Sequence, residues 1–481
     1  MKFIPKLMAT QHPDSTVRVN CLDEVLEAIE AYTKFHCDEV MIDYEGKLTP
    51  YHQIEWIIEK AREYNIDSGK VLLLTPRIPR DDAEDISRHV MSLVGAILAN
   101  VKAYRYGLEL PVRYAIIPMT ENVRDAIRVQ QRLIKLEKLI GEEVGYGPQH
   151  YLVVIPLIET VERQVHADAV AEAFHKALIK EATLFIDTMR IFLGKSDSAL
   201  HSGHIASSLG LKIAISRLFK WSEEKFINVK IILGMGKPPF RGHLAPHNID
   251  TWIENWKSYS TVTIQSALRY DTDYNQYVET AEKLISNVDT KPNVLDIDNE
   301  KALIKIISQV TPVYRRNLVN IVKGLRELFN AIPSTRERVT YQKYGRSVEK
   351  TVIPRAIRFT AACYTAGIPP TLLDVEVLAK MNTKDLDIVL SAYPGMLKDL
   401  MYDISFFNPE IASKYIPTDI VKTIKESVDT LRQNLGIEGN INVDEEYWKF
   451  ASMIASKIRE HVDEEVISLI VKLAKTRGFL G

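Results

Sequence analysis

The sequence predicts a closed (β/α)8 barrel of the TIM type, with extensive additional α-helices mostly in the C-terminal half. From about residue 20 to 260, apolar runs of four to eight residues alternate with amphipathic stretches, the pattern of a parallel sheet covered on both faces. Most of those runs end in charged residues or glycine, as strands do when the loops after them build the mouth of a barrel. Beyond about residue 270 the helical periodicity persists with almost no strand-like runs.

The elements follow in order. Asn20 is placed to cap a helix whose apolar face is Leu22, Val25, Leu26, Ile29 and Tyr32, with Asp23 and Glu24 in its first turn, where the helix dipole favours acids. Glu39–Gly46 reads as a strand ending in Asp43 and Glu45, and Val71–Arg77, after a helix with Ile54, Ile57, Ile58 and Ala61, as one ending in a cation. Further strands are expected at Tyr114–Glu121, Tyr151–Thr160, Met189–Leu193, Val229–Gly234 and Thr261–Gln265, each preceded by a helix. These make seven, and Arg338–Tyr344 is a weak eighth. The expected organisation is a single catalytic domain over residues 1–481, with a barrel core at about 1–270 plus 338–368 and helical layers at about 271–337 and 369–481.

Bulk properties exclude several classes. With 61 basic against 63 acidic residues, no overall field points to nucleic acid or an anionic membrane. Cys21, Cys37 and Cys363 are too few and too scattered for a disulfide framework or a zinc site. No apolar run approaches the roughly 18 residues that span a bilayer, and Met1–Lys6 breaks off before a secretory segment forms. A cytoplasmic location follows as the expectation.

The chemistry is expected at strand ends. Asp43, Glu45, Arg77, Glu121, Glu159, Lys195, Asp197, Lys237 and Arg241 would converge on one mouth. Carboxylates for a hard cation and Arg or Lys for a phosphate are what a divalent metal and a phosphorylated acid require. Each residue also has an ordinary reading: Glu159 could open the next helix, and Ser196-Asp197-Ser198 could be a capping cluster. Gly234–His243 is more telling, because glycines and prolines fix a loop that offers Lys237, Arg241 and His243 within a short span. His12 is restrained by Pro13 and is either a held proton acceptor or an exposed terminal histidine. Arg346 and Arg355 flank an expected helix start at Pro354 and are either anion clamps or surface arginines.

Taken together, His12-Pro13-Asp14, Pro156-Leu-Ile-Glu159-Thr, Gly194-Lys-Ser-Asp197-Ser and Pro354-Arg355-Ala-Ile resemble, in order and spacing, the motifs of phosphoenolpyruvate carboxylase in its short, archaeal-type form. The resemblance implies His12 as the catalytic histidine, Glu159 and Asp197 as ligands of Mg2+ or Mn2+, and Arg77, Arg346 and Arg355 as substrate contacts. Arg241 and Lys237, expected as catalytic residues beside His12, stand where the long form has two arginine-containing glycine units, while Lys195 and His243 are further candidate substrate contacts. It also implies irreversible carboxylation of phosphoenolpyruvate with bicarbonate to oxaloacetate and phosphate, through carboxyphosphate and a metal-bound enolate, in a homotetramer. The competing readings are another phosphoenolpyruvate or pyruvate barrel enzyme, a phosphotransferase or carbon–carbon lyase, and a non-catalytic phosphoenolpyruvate-binding assembly protein.

Overall fold

Eight parallel strands close into a ring in the computed structural model, which describes residues 3–11, 23–118, 122–147, 151–333, 346–348, 351–459 and 462–481. They are β1 Leu7–Thr10, β2 Glu39–Asp43, β3 Leu73–Arg77, β4 Tyr114–Ile117, β5 Val153–Ile158, β6 Thr188–Gly194, β7 Asn228–Gly234 and β8 Tyr259–Ile264. Strand order equals chain order, and β1 pairs with both β2 and β8 to shut the barrel.

The ring therefore closes with the short N-terminal run Leu7–Thr10 as its eighth strand. Arg338–Tyr344, expected as a weak eighth strand, lies outside the described residues. The four residues of β1 are all buried, but a run so short shows no usable periodicity. Only pairing on both edges makes it a strand.

Between strands the helices take the positions their apolar faces require. Asp85 and Asn122 accept from the backbone N–H of Ser87 and Arg124 and so cap Ile86–Arg105 and Val123–Val144. The expected helix after β5 splits into one turn, Val161–Gln164, and a main helix, Ala167–Ala182. The cap expected at Asn20 lies outside the described residues; the helix itself runs Asp23–Thr33.

Inside the ring, Met8, Met41, Leu73, Tyr114, Ile116, Ile155, Leu157, Phe192 and Ile232 form one apolar cluster. Beside it a charged pair crosses from β6 to β2. Arg190 donates to both oxygens of Glu39 at 2.8 and 2.7 Å and to Thr261 Oγ1 at 3.0 Å, and its guanidinium lies 4.8 Å from the Tyr114 ring centre.

After β8 the chain is almost wholly helical. Ile297–Val322 packs along His204–Lys225 and Ser196–Ser202, and Glu464–Arg477 packs on Ala356–Thr365. A two-stranded hairpin, β9 Arg346–Val348 with β10 Thr351–Ile353, precedes Ala356–Thr365. The last residues pack: Phe479 and Leu480 are each 1% exposed, and Arg477 donates to both of their carbonyls.

Candidate active site

The C-terminal ends of the strands surround a cavity of about 150 Å3. Seven of the eight strand ends reach it: Thr10 on β1 with Gln11 after it, Asp43 on β2, Arg77 on β3, Glu159 after β5, Gly194 on β6, Gly234 on β7 and Gln265 after β8. Met41, Leu157 and Phe192 of the interior cluster form an apolar floor. Ser196, Asp197, Arg241, Lys47 and Arg355 complete the wall from loops and from the helix start at Ala356.

Glu159 and Asp197 share one side because β5 and β6 are neighbours in register, with Ile158 opposite Leu193. A Cβ at Gly194 would lie 3.1 Å from Glu159 Cγ, so the missing side chain leaves space that the Glu159 carboxylate arm occupies. Both acids are partly exposed toward the cavity.

The opposite wall is cationic and ordered by one carboxylate. Asp43 receives Arg77 Nε and Nη2, both at 2.8 Å, and the Lys47 ammonium at 2.6 Å. Its backbone N–H donates to Gln11 Oε1 at 2.9 Å, and its carbonyl accepts from Thr49 Oγ1 at 2.6 Å. Burial by itself would raise the Asp43 pKa, but Arg77 and Lys47 hold the carboxyl well below its usual range. Glu45 adds a second acid, 3.3 Å from Arg77 Nη2 and 3.6 Å from Arg355 Nη2.

From the β7 side, Arg241 Nε donates to Ser196 Oγ at 3.0 Å and Nη2 to Gln265 Oε1 at 2.6 Å, while Nη1 reaches the carbonyl of Gly481. This guanidinium is thus fixed by three different segments. An arginine so held presents its remaining face without further loss of side-chain freedom.

A family profile described as phosphoenolpyruvate carboxylase matches residues 4–481. The chain is 36% identical over 490 residues to the phosphoenolpyruvate carboxylase of Pyrobaculum islandicum, covering 100% of both chains. It is 37% identical over 486 residues to that of Thermofilum pendens and 29% identical over 522 residues to that of Methanosarcina barkeri, with 99% of each chain covered in both cases. The chain belongs to the phosphoenolpyruvate carboxylase family.

Membership makes it an enzyme of the carboxy-lyase class, and the cleft can be compared with the residues expected to serve it. Arg77, Glu159, Asp197, Arg241 and Arg355 come together around one cavity. His12 lies outside the described residues, but the residue before it, Gln11, lines the cavity. Arg346 begins β9 opposite Ile353, and its side chain lies outside what is described.

Three expected cations point elsewhere. Lys195 is fully buried, and its Nζ donates to Ser207 Oγ and approaches the His204 carbonyl at 3.4 Å. Burial pulls its ammonium down to about 7. Lys237 donates to the Asp271 carbonyl at 2.7 Å and Thr272 Oγ1 at 2.8 Å, and His243 Nδ1 lies 2.6 Å from Asp399 Oδ1. Each follows a strand end closely, yet the backbone turns its side chain away from the mouth; loop membership does not set side-chain direction.

Lys47 and Gln11 escaped the sequence reading. Lys47 stands four residues after Asp43 in the loop beyond β2, and a lysine there reads as ordinary loop charge until its 2% exposure is known.

The donor set fits a hard divalent cation. Glu159 and Asp197 offer carboxylate oxygens only, and Mg2+ is typically bound by one or two carboxylates, with water and substrate oxygens filling the remaining positions. Among the described residues there is no group of three or more His, Cys, Asp or Glu that could hold a metal ion.

Proposed function

We propose that this cleft carries out the irreversible carboxylation of phosphoenolpyruvate by bicarbonate, giving oxaloacetate and phosphate. The observation that carries the reading is the gathering of two carboxylates, Glu159 and Asp197, with Arg77, Lys47, Arg241 and Arg355 around one cavity, in a chain whose family match is nearly complete.

Glu159 and Asp197 would hold Mg2+ or Mn2+, which when bound supplies Lewis-acid stabilisation of negative charge on the enol oxygen. Arg77, Arg241 and Arg355 are assigned to the phosphoryl and carboxylate oxygens, with Arg346 as a further candidate. A bicarbonate oxygen attacks phosphorus and the bond from phosphorus to the enol oxygen breaks, yielding carboxyphosphate and the enolate of pyruvate. His12 takes the carboxyphosphate proton. Loss of phosphate releases CO2, and the enolate carbon then forms the new carbon–carbon bond. The apolar floor of Met41, Leu157 and Phe192 helps exclude water, which would otherwise protonate the enolate to pyruvate.

The deciding experiment is a coupled oxaloacetate assay with and without bicarbonate and Mg2+. Product formation must need both; turnover of phosphoenolpyruvate without bicarbonate would point to phosphotransfer or lyase chemistry instead. His12→Asn should retain bicarbonate-dependent cleavage but divert product to pyruvate, with oxaloacetate down by about 10²–10⁴-fold. Asp197→Asn should lose activity at limiting Mg2+, and unchanged activity there removes it from the ligand set.

We assign the enzyme as one catalytic domain, homotetrameric and cytoplasmic, on the family resemblance. No helix among the described residues is long and apolar enough to cross a membrane. Light scattering on the purified protein tests the assembly.

A further inference from the structure

Behind the cleft, toward the appended helices, lies a buried polar cluster that no step of the proposed reaction uses. Its centre is Asp399, 1% exposed, on the helix Met396–Ser405. Oδ1 is 2.6 Å from His243 Nδ1, and Oδ2 is 2.6 Å from the Tyr393 hydroxyl and 3.1 Å from His204 Nε2.

The two histidines lie on segments that follow the β6 and β7 ends serving the cleft. His204 opens the helix that directly follows Ser196–Ser202, the short segment carrying Asp197. His243 lies two residues beyond Arg241 in the loop after β7. Asp399 is on neither segment, and 156 residues separate it from His243.

Other contacts stiffen the same junction. The Lys195 ammonium packs against Ser207 and the His204 carbonyl, and Asp374 Oδ2 accepts from the Ile205 N–H at 3.1 Å. At Gly203, with φ +93, a Cβ would come within 2.4 Å of that same Asp374 oxygen, so the helical layer is pressed directly against the turn. His243 Nε2 also lies 3.1 Å from His247 Nε2, whereas neither ring nitrogen of His204 has a hydrogen-bond partner, so Asp399 is the polar group that His204 faces and losing its charge leaves that buried ring without one. The cluster therefore holds its members at fixed separations.

We infer that Asp399 is a positioning residue: hydrogen-bonded to His243 and 3.1 Å from His204, it supports from behind the spacing of the Asp197 carboxylate and the Arg241 guanidinium that the Arg241–Ser196 contact makes directly. The appended helices thereby act as a frame that keeps the metal-facing and anion-facing groups in register. This rests on the carboxylase reading for its kinetic consequence. Its structural consequence, the placement of Asp197, is measurable without turnover.

The test pairs Asp399→Asn with Asp403→Asn. Asp403 lies one turn further along the same helix, fully buried, and hydrogen-bonds Thr371 and Tyr364. Both variants are expected to melt earlier than the parent. Only Asp399→Asn should weaken Mn2+ binding, followed by electron paramagnetic resonance, by about tenfold and lower kcat at saturating substrate and metal by at least about tenfold. The fraction of phosphoenolpyruvate ending as pyruvate should rise with it. Unchanged Mn2+ affinity and kcat in Asp399→Asn overturn the inference, as does the same kinetic loss in Asp403→Asn.

Should Asp399→Asn fail to fold, His243→Asn and His243→Leu decide the matter. Asparagine keeps a side-chain N–H near the Nδ1 position and tolerates the φ of +56 found there. It should preserve Mn2+ affinity and kcat where leucine loses both; equal behaviour of the two variants refutes the role. If the parent enzyme makes no oxaloacetate, the carboxylase reading falls, and the Mn2+ measurement still judges Asp399 by itself.

Discussion

Burial would push the Asp43 carboxyl up, but Arg77 and Lys47 outweigh it and hold the group ionised well below its usual range. A carboxylate with a depressed folded pKa contributes stability that is complete above its unfolded value of about 4 and is lost as pH falls through the folded value. Asp43→Asn should therefore cost about 3–5 kcal/mol at neutral pH, because it leaves two largely buried cations without their shared anion. The deficit should stay constant down to about pH 5 and narrow only below about pH 4, as urea melts across that range would record. A deficit that narrows well above pH 5 would mean that the parent carboxyl is not depressed. At this scale Arg77, Glu159, Asp197, Arg241 and Arg355 were legible, since each lies at a strand end, at a helix start or, for Arg241, in the glycine- and proline-rich loop after β7, and these line one mouth. Lys195, Lys237 and His243 carried the same signal and face away, and Lys47 carried none.

At the scale of elements, the β5 and β6 ends show how register builds a ligand pair. Gly194 is needed less for its backbone freedom than for the volume it leaves to Glu159. Gly194→Ala should keep the fold and push the Glu159 carboxylate by a few tenths of an ångström. Mn2+ binding should weaken about tenfold, the range for groups that orient a metal ligand; calorimetric titration with unchanged affinity would show that Glu159 relaxes without consequence. The helices and seven of the strands were readable from periodicity, with end points shifting by a few residues where a turn or a capping side chain intervened. β1 was not readable, because the four residues Leu7–Thr10 before Gln11 carry too little pattern, and its identity comes from partners in β2 and β8.

Across the whole molecule, the Glu39–Arg190 pair ties opposite parts of the barrel interior together with both side chains fully buried. Arg190→Met should destabilise by about 3–5 kcal/mol, since Glu39 then remains buried without its counter-charge. The double variant Glu39→Met with Arg190→Met should lose less than the sum of the single changes; additive losses in thermal melts would show that the pair is not coupled. The sequence by itself determined the barrel class, the order of its later strands, the family and the five charged groups at the mouth, because periodicity and strand-end chemistry are local properties of the chain. Only the tertiary structure decided that the N-terminal run closes the ring, that Lys47 faces the cleft while Lys195, Lys237 and His243 do not, and that Asp399 of a late helix reaches both His243 and His204. Those outcomes depend on pairings across tens to hundreds of residues and on the direction of individual side chains, and spacing along the chain encodes neither.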